Sequence, residues 1–228
     1  MLILILLGFF IGCLMPAIAS RFGKILPADP GLILLKLGHR PHFPHSPNQA
    51  HRQLLRFMWI KFGIISVIWG FISATLFALN HILLSADLAV YADIFMVIVC
   101  LCILVDAMYF LLPDFFTLPL LLFGFLMLAT TPGSSVLAGV GGAFFGYGIA
   151  TLSVVLLGLF HPSELGAGDV KMMTALGAWL GVLGLSYTLL LSFLFFAIPA
   201  AVYARRSGAY GPALGWAAIL TFFFTYVK

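Results

Sequence analysis

The chain holds only seven acidic side chains in 228 residues, so each can be weighed for chemistry. Asp29 lies in a polar stretch and reads as solvated. Asp87 and Asp93 open an apolar run, where a helix N-terminus favours negative charge and capping is the expected role. Asp106 and Asp169 differ. Each adjoins a long apolar run, where ionisation is costly and an acid is a functional candidate by default; the bland alternative is a carboxylate solvated by lipid headgroups. The run Gly166-Ala167-Gly168-Asp169-Val170-Lys171 sets small residues before the second acid. Small residues let a helix or an extended peptide backbone come close, which a carboxylate needs if it is to reach a backbone carbonyl.

The first acid begins a segment that continues to Pro113-Asp114 and Thr117-Leu118-Pro119. Proline removes a backbone donor and disfavours helix for the residue before it. The helix carrying Asp106 is therefore predicted to stop before Asp114, and Asp114 to cap the next helix. Lys171 stands two residues from Asp169, so on a helix it should point elsewhere, snorkelling towards headgroups or a substrate charge.

The elements that position these acids follow from composition. The chain is 63% hydrophobic and 8% charged, with mean hydropathy +1.18. A soluble domain cannot bury so much apolar surface, which makes lipid the solvent and an all-α integral membrane protein the expected class. Apolar runs between breakers predict about eight spans, near 1–19, 62–80, 88–105, 115–131, 136–160, 170–182, 184–204 and 212–227. The sixth is short and interrupted by Gly177, Gly181 and Gly184. No Lys or Arg precedes the first run, so it reads as a retained span and not a cleaved signal.

Seven of the eleven Lys and Arg lie in the first link: Arg21, Lys24, Lys36, Arg40, Arg52, Arg56 and Lys61. The excess of basic residues makes that link cytoplasmic, both termini external, and the ends bearing Asp106 and Asp169 cytoplasmic. The net charge of +4 thus reports topology and not nucleic-acid binding. Cys13, Cys100 and Cys102 sit in apolar runs, show no CxxC pair, and read as packing.

Together the acidic segments resemble the type IV prepilin peptidase family, eight-span bacterial membrane aspartic proteases of the GxGD type. The family pattern of Asp, six residues, Pro-Asp and Thr-Leu-Pro appears as Asp106, Pro113-Asp114 and Thr117-Leu118-Pro119. Its Gly-x-Gly-Asp-x-Lys is Gly166 to Lys171, followed by a similar Leu176-Gly177-Ala178-Trp179; Tyr210-Gly211-Pro212 is a weaker match. The likeness runs from about 95 to 225. It implies Asp106 and Asp169 as the catalytic pair, with Gly166, Gly168, Lys171 and Asp114 shaping the site. The implied substrates are prepilins of type IV pili or pseudopilins of type II secretion, cut at the cytoplasmic face of the bacterial inner membrane. No cofactor or metal is implied for proteolysis, and S-adenosylmethionine only where the methyltransferase activity is retained.

The first 61 residues read as one span plus a short basic link, a degenerate form of the family's methyltransferase-like region, and 62–228 as the peptidase domain. Gly8 to Phe22 resembles the family's glycine-rich first span, with Cys13 and Pro16 where Ser and Asn are usual. Many members carry two CxxC pairs in the first link; this chain has no cysteine there. The link does hold His39, His42, His45 and His51, but Pro41, Pro44 and Pro47 break any regular ligand spacing, so a proline-stiffened loop is expected in place of a zinc site. Two rival classes stand beside the protease: a proton-coupled transporter, which also uses intramembrane acids, and a non-enzymatic membrane subunit. Both acids falling at one edge, not the midplane, weighs against transport.

Overall fold

A backbone crossing lipid must satisfy its own N–H and C=O groups, and an open chain does so as helices. The computed structural model describes residues 1–22, 49–160, 166–202 and 209–227. These form seven helices: α1 (Leu2–Phe22), α2 (Gln49–Leu83), α3 (Ala86–Tyr109), α4 (Asp114–Thr130), α5 (Val136–Phe160), α6 (Ala167–Val202) and α7 (Gly211–Tyr226). Stretches of α1, α2, α3, α5 and α6 are long and apolar enough to cross a bilayer, while α4 and α7 are shorter apolar helices. The chain is an all-α integral membrane protein. His39, His42, His45 and Asp29 lie outside the described residues, and His51 lies on α2 where side chains are not described.

α6 is two limbs. At Gly181 φ is 66° and ψ is −175°, a backbone shape that side-chain-bearing residues rarely adopt. The contacts along α7 show that the chain turns back there. Tyr226, at the end of α7, bonds the Trp179 carbonyl at 2.6 Å, whereas Tyr210, at its start, bonds Ser192 at 2.6 Å. The limb ending at Leu180 thus runs towards the Tyr226 end of α7, and the limb after Gly181 returns to the Tyr210 end. With this reversal the described residues hold the eight rods expected from the sequence, the break falling at Gly181 and not at 183.

The chain divides into two compact units, Met1–Ala78 and Leu79–Lys228. In the first, α1 and α2 run antiparallel. A side chain at Gly12 would strike the backbone at Trp69 and Gly70, and one at Gly70 would come within 2.6 Å of Cys13 Sγ. Cys13 therefore fills the space over a glycine, as packing. In the second unit α6 lies against α4, α5 and α7, and α3 lies against α4 and α7. From Val99 to Asp106 every residue of α3 is buried, Cys100 and Cys102 included, so both thiols face packed protein.

Lipid tails are as apolar as leucine, so packing and close backbone approach hold such helices together. Phe95 stacks on Phe222 at 4.8 Å and meets Trp179 at 4.9 Å, all three buried. The Trp179 indole N–H donates to the Leu120 carbonyl at 2.7 Å, in space that Gly124 leaves open. Along one face of α5, Gly139, Gly142 and Gly146 lie on the carbonyls of Ala178, Gly177 and Met173. The spacing of three and four is that of one helix stripe. Asp87 stands in the first turn of α3 as expected, but Asp93 lies two turns in. Instead of serving the helix end, its carboxylate accepts from Asn80 and pairs with His81, each at 2.8 Å.

The glycine stripe gives the first prediction. Gly142→Val places a side chain on the Gly177 carbonyl, where only backbone could yield, and should cost about 3 kcal/mol or more, the upper range for overpacking. Gly148→Ala, with nothing within 4 Å, should leave stability unchanged. Thermal unfolding in detergent measures both; equal melting of the two variants would contradict the packing described.

Candidate active site

Four chain ends meet at one end of the second unit: the C-terminus of α3 and the N-termini of α4, α6 and α7. α3 stops where expected. Phe110 adopts the left-handed conformation, φ 54°, its N–H donating to the Asp106 carbonyl at 2.8 Å, and Pro113 then starts α4. Positive φ is uncommon for a residue with a side chain. It turns the backbone sharply, so the link from Phe110 to Pro113 can fold against α6. Gly168 lies on that link, where a Cβ would come within 2.8 Å of Leu112 Cβ.

Asp106 occupies the last turn of α3 and is only 5% exposed. A helix C-terminus is a poor place for an anion, since its carbonyl ends carry partial negative charge. The compensation comes from another helix. Gly211, first residue of α7, donates its N–H to Asp106 Oδ2 at 2.9 Å. Helix N-termini present such unpaired N–H groups and favour negative charge. Only glycine fits: a Cβ at 211 would lie 2.6 Å from Asp106 Oδ2.

Asp169 stands in the first turn of α6, half-buried. Its Oδ2 accepts the Gly166 N–H at 3.2 Å, while its own N–H donates to the Gly166 carbonyl at 3.1 Å. This reciprocal pairing resembles half of a capping box and fixes the side chain over the helix mouth. Asp106 and Asp169 lie within electrostatic reach of each other, so the two acids expected to act together are brought to one place.

The other expected site residues divide. Gly168 is required for closeness. Gly166 is not, because a Cβ there would meet nothing nearer than 3.8 Å; it serves through its N–H. Asp114 was expected to cap α4, but Pro113 holds the cap position and Asp114 is the first helical residue, with no capping hydrogen bond from the side chain. Its carboxylate instead pairs with Lys171 at 2.5 Å, with both side chains still partly exposed. Two residues along α6 from Asp169, Lys171 does point elsewhere, as expected. Gly211 was missed as a site residue. The signal was the weak Tyr210-Gly211-Pro212 match, whose glycine before a helix-starting proline marks a free N–H.

The pattern of the type IV leader peptidase family matches residues 93–201, which include both acids. This segment belongs to the type IV leader peptidase family. Among the chain's relatives, the Escherichia coli protein named leader peptidase HopD is 43% identical over 86 residues, covering 35% of this chain and 54% of that protein. A prepilin leader peptidase/N-methyltransferase of Neisseria gonorrhoeae is 36% identical over 112 residues, covering 46% of this chain and 39% of the relative. One of the same name from Pseudomonas aeruginosa is 38% identical over 129 residues, covering 51% and 44%. The chain thus spans about half the length, or less, of the curated relatives it matches. No solved structure matches it. Among the described residues no group of three or more His, Cys, Asp or Glu is placed to hold a metal ion.

The geometry separates a structural glycine from an exposed ion pair. Gly211→Ala must push the Asp106 carboxylate aside and should destabilise the unit by about 1–3 kcal/mol. Lys171→Ala breaks a pair with side chains 45% and 55% exposed and should cost about 1 kcal/mol or less, since solvent screens such pairs. Unfolding midpoints of the two variants check the order.

Proposed function

We infer that the chain is a membrane-embedded aspartic endopeptidase that removes the leader peptide of type IV prepilins or type II secretion pseudopilins. The observation that supports this reading is that Asp106 and Asp169, from separate helices, each take a backbone N–H at the same end of the unit and lie within electrostatic reach of each other, inside the segment that matches the leader peptidase family. Two neighbouring carboxylates share a proton more readily than both ionise, a general property of aspartic-protease dyads. The ionised member takes a proton from a water molecule, whose oxygen bonds to the scissile carbonyl carbon. The protonated member gives its proton to the carbonyl oxygen; the first member then passes the proton it took from water to the nitrogen, and the C–N bond breaks as a diol hydroxyl returns a proton to the second. The pair acts as one coupled unit.

The basic first link supports a cytoplasmic position for the acids, with both chain termini periplasmic in the bacterial inner membrane. A prepilin leader is short and basic and precedes an apolar helix, so a cut at the inner membrane boundary suits it. Two of these relatives are also named N-methyltransferases, and the same activity here would methylate the new N-terminus with S-adenosylmethionine as donor. The link where many members carry their cysteines falls at residues 23–48, outside the described residues, and no step is assigned to it.

The decisive experiment mixes the purified protein with a synthetic prepilin leader peptide. Wild-type protein should cut it, while Asp106→Asn and Asp169→Asn should each insert normally and lose at least about 1000-fold in rate, as expected when one member of a catalytic unit is removed. An intact peptide would favour the transporter or scaffold classes, and full cutting by either variant would remove the acids from the mechanism. Mass analysis of product formed with S-adenosylmethionine present tests methylation separately.

A further inference from the structure

Ser192 and Tyr210 lie on different elements, the return limb of α6 and the residue before α7, yet 2.6 Å separates their hydroxyl oxygens. Ser192 is fully buried, and its hydroxyl donates to the Leu189 carbonyl at 2.8 Å. Its oxygen is therefore left to accept from the Tyr210 phenol. One turn further along the same limb, Phe196 meets the Tyr210 ring edge-on, with centroids 5.7 Å apart. The phenol is held at both its oxygen and its ring.

What this fixes is the adjoining peptide. The Tyr210 carbonyl accepts the Leu214 N–H at 3.0 Å, and the next N–H, that of Gly211, is the donor to Asp106. The phenol also lies within electrostatic reach of Asp169. Burial, with Asp169 adding to it, raises the phenol above its usual pKa, so it keeps its proton and remains a donor to Ser192. One residue thus links the return limb, the start of α7 and the surroundings of both acids.

We propose that the Ser192–Tyr210 hydrogen bond is a positioning device: it holds the Tyr210–Gly211 peptide against Asp106 and so sets that carboxylate for the peptide bond under attack. The proposal rests on the proteolytic role of Asp106 and Asp169. Tyr210→Phe and Ser192→Ala each delete one hydroxyl and leave the ring and the helix in place. Each should lower kcat for the leader peptide about 3- to 10-fold, the loss expected for one hydrogen bond, with KM unchanged. The double variant should be no slower than the worse single one, because both remove the same bond. Ser192→Thr, which restores a hydroxyl, should recover most of the rate. Exchange of the Gly211 amide, slow in the wild type, should quicken in both deletion variants, independently of turnover.

Wild-type kcat in both single variants, losses that multiply in the double variant, or an effect on KM alone would overturn the anchor. Should Tyr210→Phe not fold, Ser192→Ala and its threonine rescue decide by the same measures. A wild-type protein that leaves the peptide intact sinks the peptidase reading itself, whereas an active wild type with unaffected variants sinks only the anchor.

Discussion

A carboxylate enclosed by packed apolar helices has no water shell to hold its charge, so the protein must supply donors in fixed places. The Gly211 N–H on Asp106 is that supply, and much of the second unit is arranged around it. It demands that the first turn of α7 press against the last turn of α3, close enough to exclude any side chain at 211. Gly215, one turn on, repeats the demand against Ile103 and Val99. The α3–α7 contact is therefore read out twice in glycine along one helix face.

The same logic explains the reversal at Gly181. Had α6 continued straight, its first turn would carry Asp169 to the site and its remainder would leave. By turning back, one element serves the site from both limbs: Asp169 on the outward one, Ser192 and Phe196 on the return. The seam with α5 keeps the outward limb in register. Its contacts are glycine against carbonyl, so there are few rotamers through which it could loosen.

How much of this could be read from sequence depended on whether the signal was local. Span positions came from hydropathy, because each rod is long beside the windows that detect it. The two acids came from being rare charges beside apolar runs, and their common end came from the distribution of Lys and Arg. The stop before Asp114 came from Pro113, a restriction written into one residue. What escaped was whatever needed a partner distant in sequence. Lys171 finds Asp114 across 57 positions and Gly211 finds Asp106 across 105, and no periodicity announces either. Asp93 was misplaced for a related reason: a cap is a local expectation, whereas its partners Asn80 and His81 come from the preceding helix.

The unequal lengths of the rods bear on the membrane itself. α4 has 17 residues and α7 has 16, each rising about 25 Å, and the outward limb of α6 is shorter still. A bilayer core is about 30 Å thick. These are the rods whose first turns surround Asp106 and Asp169, and they fall short of that thickness by about 5 Å or more. A rod shorter than the hydrocarbon is accommodated by thinning of the bilayer, by flanking side chains that snorkel or by association of copies, so the surroundings of the acids are the part of this unit most sensitive to bilayer thickness.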